Sequence, residues 1–339
     1  MSAVGIIANP ASGKDIRRLV AHGSVFDNHE KANIVRRVLL GLEAIGVERV
    51  WIMPDSFGIG ARALDNVRLS DLQVSLLDMP VTFTSADTVR AARQMLDAGA
   101  TCLITLGGDG TNRLVAQVSG DVPLMPISTG TNNVFPTMVE GTLAGLAAGL
   151  VARGLSDGAV HRVPCLEVHR SGAPSDVALV DVAVYDERFV AARALWDAAR
   201  IREVVLARLE PGSIGLSSIG AHLGLGSENC GLYLRMGEHG QRVLAPIAPG
   251  LIASVSVAEY RVLASGEQVR VCPPRPCTLA LDGEREVALS GASEVCIRFR
   301  SDGPRVVDMR LALSVAARTG IFVGPTWHAD VPVDPAASV

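Results

Sequence analysis

The chain has 339 residues, of which 48% are hydrophobic and 19% charged, so it can bury two sizeable cores and we predict two domains. The net charge of −4 gives no basic field, so we expect no nucleic-acid partner. No apolar run reaches the roughly 20 residues of a spanning helix, and no export signal is recognisable. Six scattered cysteines without histidines at ligand spacing predict neither a disulfide framework nor a zinc site. We therefore expect a cytoplasmic protein.

The first half of the chain alternates strand and helix patterns. Apolar runs predict strands at 4–8, 50–53, 74–77, 102–106 and 121–127. Apolar positions spaced by three and four predict helices at 28–45 and 87–98, and a helical stretch follows at 112–118. Strands that alternate with helices are joined by crossovers, so we predict an α/β domain with a mostly parallel sheet over residues 1–158.

The second half has a different texture. Shorter apolar runs, at 178–184, 232–234, 269–272 and 278–281, are separated by Gly, Pro and Asp, which predicts a β-rich domain over residues 159–305. We expect residues 306–339 to return to the first domain and to end in a loose tail from 332 onwards.

The strongest motif is Gly107-Gly108-Asp109-Gly110-Thr111, directly after a predicted strand and before a predicted helix. Glycines let the backbone approach a ligand closely, and the amides of a helix start attract phosphate. A carboxylate such as Asp109 could position a metal or accept the proton of an attacking hydroxyl. The alternative is a tight turn capped by Asp or Thr.

Two further loops have similar chemistry and also follow predicted parallel strands. One is Ser128-Thr129-Gly130-Thr131-Asn132-Asn133, and the other is Asn9-Pro10-Ala11-Ser12-Gly13-Lys14. A single crevice at the carboxyl ends of the strands could collect all three loops. Lys14 is one of two lysines and could contact phosphate or be solvated. A Walker A motif is excluded, because Ala8 replaces its first glycine and Asp15 follows the lysine.

These loops resemble the superfamily that joins NAD kinases with diacylglycerol and sphingosine-type lipid kinases, and within it the acetoin catabolism protein X type. Residues 107–111 reproduce its Gly-Gly-Asp-Gly-Thr signature, and residues 9–14 resemble its Asn-Pro-x-Ser-Gly-Lys loop. Gly130-Thr131 with Asn133 and Phe135 is similar to the lipid-kinase Gly-Thr-x-Asn-Asp-Phe loop, with Val134 at the acidic position.

The carboxyl-terminal half carries the same resemblance. Residues 244–249 resemble the Thr-Pro-Ile-Cys-Pro segment of NAD kinases, and Asp282-Gly283-Glu284 stands where they have Asp-Gly-Gln and lipid kinases have Asp-Gly-Glu. Between two apolar runs, Asp-Gly is also a hairpin signal, so a turn without a binding role is the alternative. NAD kinases have an Asn-Glu pair that grips the dinucleotide, and here Val180-Asp181 replaces it.

The resemblance implies an amino-terminal α/β domain, a carboxyl-terminal β-sandwich, and transfer of a phosphoryl group from ATP to a hydroxyl, with Mg²⁺ held through ATP. It assigns catalysis to Asp109 and acceptor binding to Asp181, Asp282 and Glu284. It also implies a homo-oligomer. The residues it assigns to the ATP phosphates are Asn9, Ser12, Gly13, Lys14, Gly107, Gly108, Gly110, Thr111, Thr129, Gly130, Thr131, Asn132 and Asn133.

Three hypotheses about function follow. The first is a kinase whose acceptor is a small hydroxylated metabolite or NAD, with a link to acetoin catabolism that rests on the resemblance alone. The second is a lipid kinase, which would need an exposed apolar or basic membrane-facing surface. The third is an accessory protein that senses a nucleotide without turnover, which Val134 and Val180 suggest.

Overall fold

The structure is a computed structural model that describes residues 2–13, 26–65, 67–171, 175–186, 200–225, 229–273, 276–283, 285–290 and 294–323. Two of the site residues expected from the sequence, Lys14 and Glu284, lie outside these residues, as does the tail expected from 332 onwards.

The described strands and helices are numbered in chain order. The strands are β1 (Ala3–Ala8), β2 (Arg49–Ile52), β3 (Gln73–Leu76), β4 (Cys102–Gly107), β5 (Leu124–Ser128), β6 (Val160–Arg162), β7 (Cys165–Arg170), β8 (Asp176–Ala178), β9 (Asp181–Tyr185), β10 (Ile201–Leu206), β11 (Gly231–Ala248), β12 (Leu251–Leu263), β13 (Gln268–Val271), β14 (Cys277–Leu281), β15 (Arg285–Leu289), β16 (Val295–Arg300) and β17 (Arg305–Val307). The helices are α1 (Asn28–Ala44), α2 (Ile59–Leu64), α3 (Ser85–Asp97), α4 (Asp109–Ala116), α5 (Gly141–Ala152), α6 (Ser217–His222) and α7 (Met309–Arg318). None of these helices is long and apolar enough to cross a membrane.

The amino-terminal half forms a seven-stranded sheet with the order β3-β2-β1-β4-β5-β17-β6. Its strands are parallel except β6, which runs antiparallel to β17. The order changes direction between β1 and β4, and in open α/β sheets ligands bind outside the carboxyl ends of the strands at such a point. The sheet confirms the parallel α/β architecture expected from the sequence. The exact domain limits stay a prediction, although β6 and β17 both lie in this sheet.

Helices cover both faces of this sheet. One face packs a large apolar core from α1, α2, α5 and α7 against the strands, and the other packs α3 and α4. Helices α1 and α5 approach so closely that a Cβ at Gly145 would collide with the backbone of Val38. This two-sided covering explains why the strands are apolar on both faces, as the burial of all six residues of β1 and of β4 shows.

The carboxyl-terminal half contains two antiparallel sheets that share one core. The six-stranded sheet has the order β12-β11-β10-β9-β14-β15, and the four-stranded sheet has the order β13-β16-β7-β8. Leu166 and Phe299 of the smaller sheet lie in the same buried cluster as Val182 and Leu279 of the larger one. Two sheets that face each other across such a core form a sandwich. The β-sandwich expected from the family resemblance is therefore confirmed.

Three sequence-based element predictions need correction. Residues 178–184 are not one strand, because β8 and β9 belong to different sheets and the chain changes sheet at residues 179 and 180. The helix expected at 112–118 begins earlier, at Asp109, so the motif residues Asp109 to Thr111 form its first turn. The strand expected at 121–127 begins only at Leu124.

Candidate active site

The three polar loops expected from the sequence meet at the carboxyl ends of β1, β4 and β5. The side-chain amide of Asn9 donates to Thr111 Oγ1 over 2.9 Å. The hydroxyls of Ser12 and Thr129 are hydrogen-bonded at 2.9 Å, and the amide of Thr129 donates to the carbonyl of Gly107 over 3.4 Å. Adjacent parallel strands carry these loops to one edge of the sheet, so the crevice inferred from the sequence exists.

The Gly107–Thr111 segment is a tight passage from strand to helix. A Cβ at Gly107 would lie 2.5 Å from Thr111 Oγ1, so a larger residue would displace the threonine. Gly108 is the extended residue before α4, and its carbonyl accepts a 2.9 Å bond from the side-chain amide of Asn112. The first turn of α4 therefore presents backbone N–H groups and the positive end of the helix dipole to the crevice, an arrangement that suits phosphate.

The loop after β5 is held by its own side chains. Ser128 Oγ donates to the carbonyl of Gly130 over 2.8 Å, and Asn133 donates to Ser128 Oγ over 2.7 Å. Thr131 and Asn132 form the turn between them and are partly exposed. Hydroxyls and amides in a fixed turn can donate to an anionic ligand without a large loss of conformational entropy.

Asp109 joins two of the loops. Its carboxylate accepts bonds from the backbone amides of Val134, at 3.1 Å, and Phe135, at 2.8 Å, and the residue is only 6% exposed. Backbone donors suit an anionic carboxylate at a helix start. The contact uses the backbone of Val134, so the missing acidic side chain there does not affect it.

Arg208, just after β10, brings a positive charge to Asp109 from the carboxyl-terminal half. Its guanidinium lies over the Phe135 ring, 4.7 Å from the ring centre, and donates to the carbonyl of Leu179 over 3.2 Å. Burial lowers the pKa of Arg208, while Glu210, Asp109 and Asp282 attract its charge. The sequence did not identify this residue, since nothing in the local pattern links it to Asp109.

Asp282 is a turn residue with a buried carboxylate. It occupies the left-handed region at φ 50°, and its side chain accepts bonds from the amides of Leu179, Val180 and Asp181 at 2.8–3.3 Å. Burial raises its pKa to about 6, against the lowering effect of these amides and of Arg113. Asp282 and Asp181 thus contact each other through the backbone. Their assignment to acceptor binding stays a prediction.

A buried ion-pair network connects α4 with the sandwich. Arg113 Nη1 lies 3.2 Å from a carboxylate oxygen of Asp176, and Arg113 Nε lies 3.8 Å from Asp282. Arg285 and Gln117 also contact Asp176. The partners are far apart in sequence, so no local pattern could have revealed the network. It fixes the orientation of the first turns of α4 relative to the sandwich.

Lys31 is a second residue that sequence reasoning missed. It is fully buried, and its Nζ donates to the carbonyls of Asn9, at 2.9 Å, and Ser12, at 2.6 Å, with longer contact to Pro10. Asn28 accepts a further bond from it. One sequence signal could have identified Lys31. It lies three residues before Ile34, and this spacing places it on the apolar face of α1, where a lysine is unusual. Lys31 fixes the shape of the loop after β1.

A cleft of about 630 Å³ opens beside the loop after β1 and the start of α4, between the ends of β1 and β2 and the starts of α3 and α4. Its lining includes Asn9, Gly110, Thr111, Arg113 and Arg285, whereas residues 128–133 of the loop after β5 are not part of it. Its size lies within the range of small-molecule sites. Within the described part of the chain, no group of three His, Cys, Asp or Glu side chains is arranged to hold a metal ion.

Comparison with known proteins agrees with this architecture. Residues 4–155 match the family model of the ATP-NAD kinase N-terminal domain, and residues 164–302 match that of the acetoin catabolism protein X C-terminal domain. A crystal structure of yeast NADH kinase complexed with NADH superposes with a TM-score of 0.51 at 13% identity, over 97% of this chain and 90% of that chain. The fold is thus of the NAD kinase class.

A sequence relative narrows this class. Acetoin catabolism protein X of Cupriavidus necator is 40% identical, over 93% of this chain and 92% of its own length. The chain therefore belongs to the acetoin catabolism protein X family, and the family resemblance inferred from the loops is confirmed.

Proposed function

We propose that the protein is an ATP-dependent kinase that transfers a phosphoryl group to a hydroxyl of a small metabolite or of NAD. The observation that carries the proposal is the meeting of three polar loops at the point where the strand order changes, with Asp109 in the first turn of α4. Kinases need mainly positioning and charge neutralisation of the transferred group, and this arrangement offers donors for both.

The donor set fits the phosphates of ATP. Asn9 and Ser12 after β1, Thr111 in α4 and Thr129 after β5 provide hydroxyls and an amide, and the α4 start provides backbone N–H groups. Lys14, Gly13, Gly108, Gly110 and the turn at 130–133 complete the proposed phosphate site. Such groups hold phosphate by hydrogen bonds and by the helix dipole, without a Walker loop.

Mg²⁺ bound to the ATP phosphates would neutralise part of their charge, and it commonly needs only one or two protein carboxylates. Asp109 lies at the start of α4, and its carboxylate contacts the loop after β5; its proposed role is to accept the proton of the acceptor hydroxyl. Arg208 would offset the negative charge that gathers around Asp109 and the phosphates.

The test is an assay with Mg-ATP and NAD⁺, in which NADP⁺ is detected by a dehydrogenase specific for it. If the proposal holds with NAD as acceptor, Asp109→Asn lowers turnover by at least about 100-fold, because a general base contributes about that much. Binding of Mg-ATP should survive in the variant. If wild type binds Mg-ATP but forms no NADP⁺, acceptors other than NAD are screened by following ADP release.

A nucleotide sensor without turnover is the second candidate, and one contact favours it. Asp109 accepts bonds from two backbone amides of the loop after β5, so its carboxylate also serves to hold that loop. A sensor would bind Mg-ATP yet release no ADP with any hydroxyl acceptor. In that case there is no turnover for Asp109→Asn to abolish, and the variant retains nucleotide binding.

A further inference from the structure

We propose that the rings of Phe57 and Phe83 form a stacking site for the purine base of the nucleotide whose phosphates lie on the three loops. The inference rests on the proposed nucleotide binding and adds where the base lies. Both residues line the same cleft as Asn9, Gly110 and Thr111. Only seven phenylalanines occur in the chain, and two of them line this one cleft.

Phe83 is presented to the cleft by its backbone. It is 77% exposed and occupies the left-handed region at φ 61°, where a bulky residue is strained. The carboxylate of Asp87, in the first turn of α3, accepts bonds from the amides of Thr82 and Phe83 at 2.8–3.0 Å and holds the turn. An exposed aromatic residue whose strained backbone is held in place by its surroundings suggests a function at the surface.

The backbone of Phe57, also in the cleft lining, is held in a comparable way. Phe57 is 48% exposed, and Asp55 accepts bonds from the amides of Phe57 and Ile59 at 2.8 and 2.9 Å. The turn between β2 and α2 therefore fixes the backbone of Phe57, as Asp87 fixes that of Phe83. Two rings on fixed turns provide flat apolar faces at little cost in conformational entropy.

The lining indicates the class of ligand. The start of α4, at Gly110 and Thr111, lines the same cleft as the two rings, so backbone donors that suit phosphate and aromatic side chains face one cavity. A nucleotide matches both features, with a phosphate chain at one end and a flat base at the other. The cleft volume of about 630 Å³ is sufficient for such a ligand.

The test distinguishes binding of the base from binding of the phosphates. Isothermal titration calorimetry would measure the affinity of the full chain for Mg-ATP and for magnesium with inorganic triphosphate, which has the phosphates without the base. We expect Phe83→Ala and Phe57→Ala each to weaken Mg-ATP about tenfold, in line with base stacking on an aromatic ring. The affinity for triphosphate should be unchanged, and Phe83→Trp should retain the affinity for Mg-ATP.

A matched control is Phe322→Ala, because Phe322 is 39% exposed, follows α7 and is not among the residues that line the cleft. It should change neither affinity. Equal losses for Mg-ATP and triphosphate, or no loss in either cleft variant, would overturn the stacking site and leave the kinase proposal standing. If wild type bound neither probe, both proposals would be wrong.

Discussion

Asp109 and Asp282 play the same structural part in the two halves of the molecule but differ in surroundings. Each lies in a glycine-containing turn and accepts backbone amides from a distant segment. Asp109 lies at the start of a helix beside a polar crevice, with donors 25 and 26 residues away. The side chain of Asp282 is fully buried, with donors 101 to 103 residues away and Arg113 nearby.

The difference suggests a division of roles between the two carboxylates. Asp282 satisfies the amides that the chain exposes where it passes from β8 in one sheet to β9 in the other, so it stabilises the sandwich. Asp109 holds the loop after β5 at the edge of the candidate site, so it has a structural role in addition to the proposed catalytic one. Substitutions should therefore affect stability at Asp282 and activity at Asp109.

The largest stability effect should come from Asp282→Ala. The change leaves three backbone amides without their acceptor and leaves Arg113 with one counter-charge fewer, which should cost about 3–5 kcal/mol of unfolding free energy. Asp109→Ala, whose amide partners are fewer and less deeply buried, should cost about 1–2 kcal/mol. Urea denaturation followed by circular dichroism measures both, and equal losses would contradict the division of roles.

The pH dependence of the unfolding free energy should also reveal the role of Asp282. Burial raises the pKa of Asp282 from 3.8 to about 6, so between these values the folded state binds a proton that the unfolded state has released. Its contribution to the unfolding free energy is therefore fully present below about pH 4 and is lost as the pH rises to about 6. The difference between these pKa values corresponds to about 3 kcal/mol.

Asp282→Asn isolates this effect, because the amide does not titrate while the shape is retained. The difference in unfolding free energy between wild type and Asp282→Asn should move against the wild type between pH 4 and 6.5. A difference that stayed constant would show that the amides and Arg113 outweigh burial and keep the carboxylate charged.

The sequence predicted the amino-terminal half well because its signals are local. Buried parallel strands are apolar runs, and the loops that follow them carry their polar residues in consecutive positions, as at 107–111 and 128–133. The start of α4 was misplaced because glycine, aspartate and threonine are typical of loops as well as of helix starts.

The carboxyl-terminal half was less predictable because its determinants are distant in sequence. The break at residues 179 and 180 depends on a carboxylate from residue 282, and a run of apolar residues gives no sign of it. Strand β11 spans 18 residues, yet only 232–234 were expected, because its middle is polar and exposed. The pairing of Arg113 with Asp176 likewise depends on tertiary structure.

Lys31→Met should lower the unfolding free energy less than Asp282→Ala does, and it should disturb the loop after β1 more than the buried cores. The change keeps most of the apolar stem and removes the donor for the carbonyls of Asn9 and Ser12, which should cost about 1–3 kcal/mol of unfolding free energy. Because the loop after β1 then loses its fixed shape, Mg-ATP affinity should fall as well. His29→Met, on an exposed position of the same helix, is the matched control and should change neither quantity. Lost stability with undiminished Mg-ATP affinity would show that the loop after β1 does not contribute to nucleotide binding, and the phosphate site would then rest on α4 and the loop after β5 alone.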